Sequence, residues 1–417
     1  MDGEGLWEGT TSYVRQAGTL CTEANSFRSN HGSSAMVNII EPGDVADGSE
    51  SWVGSSRSLG VTRQRMSAPL VSVVMPVFNG EPFLREAVES IRGQTFGDFE
   101  FIIVDDGSTD CGASMLEFYE KEDERVRVYH QENRGLVAAL NRGCELARGK
   151  YIARMDADDV SVKERLRCQV EFMNSSPNTA VVGGAIETID SEGRSLGIEV
   201  SPLTDRDIKA ALGRGECPFA HPTVVIRKDV FVAVNGYREV ALHAEDYDLW
   251  TRIADESQLA NLAAVMLKYR RHSKQVSIQR CRQQALSALA VRLAAQCRRT
   301  GSADPLDGIA EITPETLAKL GISERVKQSV VCRAYVNCIR SMCDAHDYSK
   351  AFEALRVSYE YDLTRADSAA LVDLRLARSR VLWHQKEVLR SIVTAVYAFM
   401  RRPMTVGRPL KSVLRLR

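Results

Sequence analysis

Three carboxylates fall within four residues at Asp156-Ala157-Asp158-Asp159. In an extended segment residues i and i+2 point the same way, so Asp156 and Asp158 can converge on one ion. Hard carboxylate oxygens suit Mg²⁺ or Mn²⁺, which keep open positions for phosphate oxygens. The competing reading is a solvated acidic loop that caps the following helix. Asp105-Asp106-Gly107-Ser108 is a second acidic group. A carboxylate there can accept from a base N–H or a ribose hydroxyl, but Asp-Gly is equally a turn signal. Glu245-Asp246-Tyr247-Asp248-Leu249-Trp250 opens an amphipathic stretch. Its acids suit a general base acting on an acceptor hydroxyl, or a cap favoured by the helix dipole. His221-Pro222-Thr223 and His272, which follows the basic run 268–271, complete the set; a lone histidine is often structural.

The elements around these residues follow from periodicity. Residues 70–77 (LVSVVMPV) and 101–104 are β-branched runs of the kind found in buried strands. Strands are also expected at 126–129, 151–155 and 224–226. Apolar residues at helical spacing predict helices at 81–93, 113–121 and 136–148, the last stopping at Gly149. Ser161 and Glu164 read as a capping box opening a helix over 162–173. Such β-α alternation implies an α/β fold, a mainly parallel sheet covered on both faces. Ligands bind such sheets where the strands' carboxyl ends emerge. Asn79-Gly80, Asp105-Asp106 and Asp156 to Asp159 all lie at strand ends. From residue 279 the pattern is helical, with helices expected at 282–299, 314–320, 324–345, 349–359 and 368–400, and a linker at 301–307.

Composition narrows the partners. The chain has 417 residues, 44% hydrophobic and 26% charged, with formal net charge −1, so no global field points to nucleic acid. Ten cysteines form no C-x-x-C pair, which suits a reduced cytoplasm. No run approaches the roughly 18 apolar residues of a membrane span, and the N-terminus lacks a secretory pattern. Residues 1–65 are rich in Gly, Ser, Thr and acids, and are expected to be disordered or an extension upstream of a true start at Met66. Residues 374–417 carry eleven Lys/Arg and one acid, Glu387. This basic amphipathic tail either lies on an anionic membrane surface or packs on the catalytic domain with a solvated basic face.

Taken in order, these residues resemble the family 2 inverting glycosyltransferases of the GT-A fold. The matching pieces are Pro76-Val77-Phe78-Asn79-Gly80, Gln94-Thr95-Phe96, Val104 to Ser108, Asn133-Arg134-Gly135 with Ala139-Leu140-Asn141, and Gly149 to Ile152. Then come Met155 to Asp159, His221 to Thr223, Gly236-Tyr237, Glu245 to Trp250 and Tyr269 to His272. The resemblance covers residues 70–277, about half the chain. It implies a GT-A domain over 66–278 followed by a helical C-terminal region over 279–417.

The resemblance also implies roles. Pro76, Phe78, Asn79, Asp105, Asp106, Arg134, Asn141, Asp156 and His221 would line the nucleotide-sugar site, with the backbone near Pro76 to Phe78 and the Asp106 side chain holding the base. Asp158, Asp156 and His272 would serve a Mn²⁺ or Mg²⁺ ion, Asp158 most directly. Asp246, beside Glu245, would be the general base. The donor would be a nucleotide-sugar, a UDP-sugar by preference, and the acceptor a saccharide or lipid-linked hydroxyl. The setting would be cell-envelope or exported polysaccharide assembly in the cytoplasm, with peripheral contact at the inner membrane face. The chain lacks the Gln-x-x-Arg-Trp motif and membrane helices of processive synthases, which argues for addition of a single sugar. Two rivals remain: a sugar nucleotidyltransferase, for which the Gly-rich phosphate loop is missing, and an inactive binding module, against which the intact acids argue.

Overall fold

Val71–Val77 (β1) and Phe99–Asp105 (β2) are buried at every residue, as strands covered on both faces must be. The computed structural model describes residues 68–272, 280–344, 347–361, 363 and 365–401. The expected N-terminal extension and the end of the basic tail lie outside these residues. Helices α1 (Glu81–Arg92), α2 (Gly112–Glu122) and α3 (Leu136–Leu146) alternate with β1, β2, β3 (Val126–His130) and β4 (Tyr151–Arg154). β1 pairs in parallel with β2 and β4, and β2 with β3. Next come β5 (Val160–Ser161), α4 (Arg165–Ser175), β6 (Thr179–Ile189), β7 (Ser195–Glu199), α5 (Asp205–Arg214), β8 (Val225–Arg227), α6 (Lys228–Ala233), α7 (Glu245–Ala254) and β9 (Gln258–Arg270). One sheet runs β3-β2-β1-β4-β8-β6-β9-β5, with β7 beside β6. β8 is antiparallel to both β4 and β6, so the second half of the sheet is mixed.

Alternation along the strands builds a core on each face. Val71, Val73, Met75 and Val77 of β1 pack with Leu84, Val88 and Ile91 of α1. Val74, from the opposite side of β1, joins α3 and, farther along that face, Trp250 and Ile253 of α7. The remaining helices are α8 (Cys281–Arg299), α9 (Pro314–Lys319), α10 (Glu324–Asp344), α11 (Tyr348–Ser358), α12 (Ser368–His384) and α13 (Val388–Arg401). α8 extends the second core through Leu286, Ala290 and Val291. Among the described residues, no helix is long and apolar enough to cross a membrane.

Two local expectations need correction. The capping box does not form: Ser161 belongs to β5, paired to Leu267 of β9, and α4 begins only at Arg165. Its first turn is capped instead by Gln94, whose Oε1 accepts from the Leu166 N–H at 3.0 Å. The single helix expected over 368–400 breaks into α12 and α13. Lys386 adopts φ +64°, and the two helices are tied by Ser391 Oγ donating to the Ser379 carbonyl at 2.7 Å. Residues 301–307 lie in the connection between α8 and α9, and it is fastened down. Arg298 and Arg238 both grip Asp304, at 2.6 and 3.0 Å, and Leu306 is buried.

Candidate active site

Three adjacent parallel strands end at one rim of the sheet, and their exits are fastened to one another. The Asp106 N–H donates to the Val77 carbonyl at 2.8 Å. Asn79, at φ +52°, accepts from the Thr109 N–H at 2.8 Å and gives its own N–H to Ser108 Oγ at 3.0 Å. The side chain of Asn79 therefore tethers the β1 exit to the β2 exit. Gly107 sits at φ +78°, where a Cβ would stand 2.9 Å from the Asn133 nitrogen, so glycine is required for this close approach. Asp105 is buried, pairs with His130 at 2.8 Å and accepts from the Ser108 N–H at 3.0 Å. Burial pushes its carboxyl up, but the Ser108 and His130 bonds overcome that and leave it below the ordinary value. Asp106 accepts from Gln131 at 2.7 Å and from the Arg134 and Gly135 N–H groups at 2.9 and 2.8 Å. Its oxygens shape the loop that presents exposed Arg134, while Phe78 is the exposed surface of the β1 exit.

The acidic loop leaves β4 beside these exits. Ligand oxygens of Asp156, Asp158 and Asp159 lie within 4.8 Å of one another. Asp156 rests against the Arg154 guanidinium. Asp158 meets His272 Nε2 at 2.9 Å. Asp159 is buried, accepts from the Arg270 N–H at 2.8 Å, and leaves Oδ2 without a hydrogen bond. Burial, followed by the charges of Asp156 and Asp158, holds the Asp159 carboxyl well above its ordinary value. Burial also raises Asp156, with Arg154 opposing and Asp158 adding to it. Hard oxygen donors, crowded negative charge and an orphaned buried carboxylate oxygen all fit a divalent cation.

Arg270 is the positioning residue that spacing alone did not reveal. From the end of β9 it donates Nε to the Asp158 carbonyl at 2.9 Å, pairs with Glu86, and lies over the Phe83 ring at 4.6 Å. It thereby holds the acidic loop and His272 in register. The one signal for it was its place beside His272 in the basic run.

A second acidic group stands at the start of α7. Glu245 is buried with Oε2 unbonded. Burial first, then the Asp246 charge, lifts its carboxyl to about 7, with Arg154 opposing. Asp246 accepts from the Tyr247 N–H at 2.7 Å and from Cys217 Sγ at 3.4 Å; burial raises it too. Asp248 plays no part in this pair: fully buried, it is gripped by Arg238 and Arg252 and anchors the helix. His221 shares a 2.8 Å hydrogen bond with the Tyr237 hydroxyl and packs edge-on against Trp250. Burial and the Arg154 charge depress it well below the usual histidine range, so it is neutral at physiological pH. Asn141, expected among the nucleotide-sugar ligands, spends its carboxamide on the backbone of Tyr237, donating at 2.9 Å and accepting at 3.0 Å. It positions Tyr237, the partner of His221.

The structure thus joins Asp156, Asp158, Asp159 and His272 directly. It sets Glu245, Asp246 and His221 around the same buried Arg154, whose charge bears on all three.

The family model described as Glycosyl transferase family 2 matches residues 72–233. The O-antigen biosynthesis glycosyltransferase WbnJ of Escherichia coli is 36% identical over 210 residues, covering 49% of this chain and 81% of that protein. The putative glycosyltransferase EpsE of Bacillus subtilis (strain 168) is 34% identical over 212 residues, covering 50% of this chain and 75% of that protein. Among solved structures, the mannosyltransferase PcManGT from Pyrobaculum calidifontis, in complex with GDP-Man and Mn²⁺, aligns over 80% of this chain and 88% of that one. The identity is 18% and the TM-score 0.45.

Proposed function

The chain belongs to glycosyltransferase family 2, with the GT-A fold, and on that premise we propose that it transfers a single sugar from a nucleotide-sugar to an acceptor hydroxyl with inversion. The observation that carries this reading is the pair of acidic groups around Arg154. One, at the β4 exit, suits the diphosphate side; the other, at the α7 start, suits the acceptor side. The same premise replaces the nucleotidyltransferase reading; the acids present at both groups speak against an inactive module.

Asp158 and Asp156 would hold Mn²⁺ or Mg²⁺, with Asp159 behind them and His272 orienting Asp158. Such an ion, when bound, supplies charge neutralisation at a departing nucleoside diphosphate. Asp246 takes the proton of the acceptor hydroxyl. The acceptor oxygen then bonds to the anomeric carbon as the carbon–diphosphate bond breaks on the opposite face, so the configuration inverts. Burial beside Glu245 raises the basicity of the Asp246 carboxyl. General-base assistance of this kind contributes about 10²–10⁴-fold. The β1 exit at Pro76 and Phe78, with Arg134 opposite, is where a UDP-sugar's nucleotide would rest. Residues 66–278 form the catalytic part in this reading, and 279–417 a helical appendage.

The acceptor is read as a saccharide or lipid-linked hydroxyl of cell-envelope or exopolysaccharide assembly. Support for the lipid-linked case comes from α13, where Ile392, Val393 and Val396 are exposed alongside exposed Arg390, a pattern suited to an anionic membrane surface. Screening nucleotide-sugars with Mn²⁺ for slow release of nucleoside diphosphate tests the main proposal. Release from one or a few nucleotide-sugars supports it. No release and no binding across UDP-, GDP- and dTDP-sugars would overturn it.

A further inference from the structure

Arg154 stands apart from the other buried arginines of this fold. Arg165, fully buried, donates to Gln169 and to the Arg154 carbonyl at 3.1 and 2.7 Å. Arg252 donates to Asp248 at 2.9 Å and to the Gly236 carbonyl at 2.7 Å. Arg270 reaches two carbonyls beyond its bond to Asp158 and its pair with Glu86. A guanidinium carries five N–H donors, and a donor buried without a partner is costly. Arg154 is only 4% exposed, yet among the described residues its one ion-pair partner is Asp156, and its Nε makes no hydrogen bond. A side chain so buried and so sparsely bonded is held ready for a group that arrives later.

Its location says which group. Arg154 ends β4, two residues before Asp156, and alternation sends its side chain to the face of Ile152. There it pairs with Asp156, and its charge bears on Asp159 and also on Glu245, Asp246 and His221. Under the proposed function, what lies between the diphosphate and the attacking hydroxyl is the transferred sugar itself.

We propose that Arg154 is a donor-sugar subsite residue whose unused N–H groups donate to a hydroxyl oxygen of the transferred sugar, orienting its anomeric carbon between the diphosphate and Asp246. The inference rests on the nucleotide-sugar reading above. It also accounts for a guanidinium in a site that develops positive charge on the sugar ring. Held through a peripheral hydroxyl, the cation orients the ring without sitting under the reacting carbon.

The test compares binding of a nucleotide-sugar with binding of its nucleoside diphosphate, by calorimetry on the full chain with Mn²⁺. The variants are Arg154→Lys and Arg154→Met, with thermal melts to check folding. The expected result is donor affinity about tenfold weaker in Arg154→Met, with nucleoside diphosphate affinity within about twofold of the parent. Equal losses for both ligands would place Arg154 on the diphosphate and overturn the proposal, as would unchanged donor affinity. Should the variants fail to fold, deoxy-sugar donors on the wild-type chain decide: one deoxy position should cost a similar factor, and no loss at any position sinks the subsite. A wild-type chain that binds the nucleoside diphosphate but loses affinity in neither series refutes Arg154 alone. A wild-type chain that binds no nucleotide-sugar refutes the functional reading beneath it.

Discussion

His272 Nε2 lies 2.9 Å from Asp158 Oδ2 across 114 residues of sequence. The contact closes the acidic loop from the far side. β9 runs antiparallel to the short strand β5 that follows the loop, pairing Lys268 with Val160, and Arg270 bonds the Asp158 carbonyl. His272 is therefore delivered to Asp158 by sheet register, and its ring is held against Phe83 at 4.9 Å between centroids. A histidine that orients a carboxylate ligand typically contributes 10–100-fold to metal affinity.

His272→Ala should accordingly weaken Mn²⁺ binding by about 10–100-fold, and Asp158→Asn by at least as much. Calorimetric titration of Mn²⁺ measures both. Equal Mn²⁺ affinity in the parent and Asp158→Asn would remove the metal from this loop.

Asp246→Asn should lose about 10²–10⁴-fold in transfer rate while binding donor normally. An asparagine oxygen can go on accepting from Cys217 and the Tyr247 N–H, so the variant is expected to fold. Near-normal turnover would exclude Asp246 as the base.

The pH behaviour of the α7 acids has a definite sign. Burial and the Asp246 charge lift Glu245 to about 7 from its ordinary value of 4.5. A raised carboxylate favours the protonated folded state, so its burial costs nothing below pH 4.5 and destabilises progressively as pH rises through 7. Glu245→Gln should therefore stabilise the protein at pH 8, on the order of 2–3 kcal/mol, and hardly at all at pH 4. Asp246, Arg154, Cys217 and Tyr237 share this environment, so urea melts at the two pH values should be read as a difference. In the parent enzyme, transfer should rise with pH through about 7 as the acidic pair loses its proton. A flat rate between pH 6 and 8 contradicts this.

Asn141→Ala strips the Tyr237 N–H and carbonyl of their partner. It should cost about 1–3 kcal/mol of stability and leave donor affinity unchanged, because the carboxamide serves Tyr237. A selective loss of donor binding with normal stability would return Asn141 to the nucleotide-sugar site.

Replacing Ile392, Val393 and Val396 together by Glu should abolish co-sedimentation with anionic vesicles and leave donor hydrolysis in solution unaffected, since all three side chains are exposed. Binding to vesicles that survives the substitution would remove α13 as the membrane contact.

How much was legible in advance depends on the range of each interaction. The strands at 70–77 and 101–104, the alternation with helices, and the acids at strand exits are local patterns, so they appear in the sequence as they appear in the fold. Asp156, Asp158 and His272 were identifiable as a set because a family resemblance links distant motifs that spacing cannot. What remained hidden depends on partners far along the chain. Ser161 looked like a cap, but β9 claimed its backbone, and Gln94, 72 residues before Leu166, took over the capping. That the carboxamides of Asn79 and Asn141 satisfy distant backbone groups was not legible either, because the fold brings those groups near. Arg154 gave no sign of importance, because a buried charge acquires its meaning only from what packs around it. The sequence by itself determined which residues can carry charge and where the strands end. The tertiary structure alone decided which of those charges are already satisfied, since hydrogen bonding and desolvation depend on neighbours that no local spacing records.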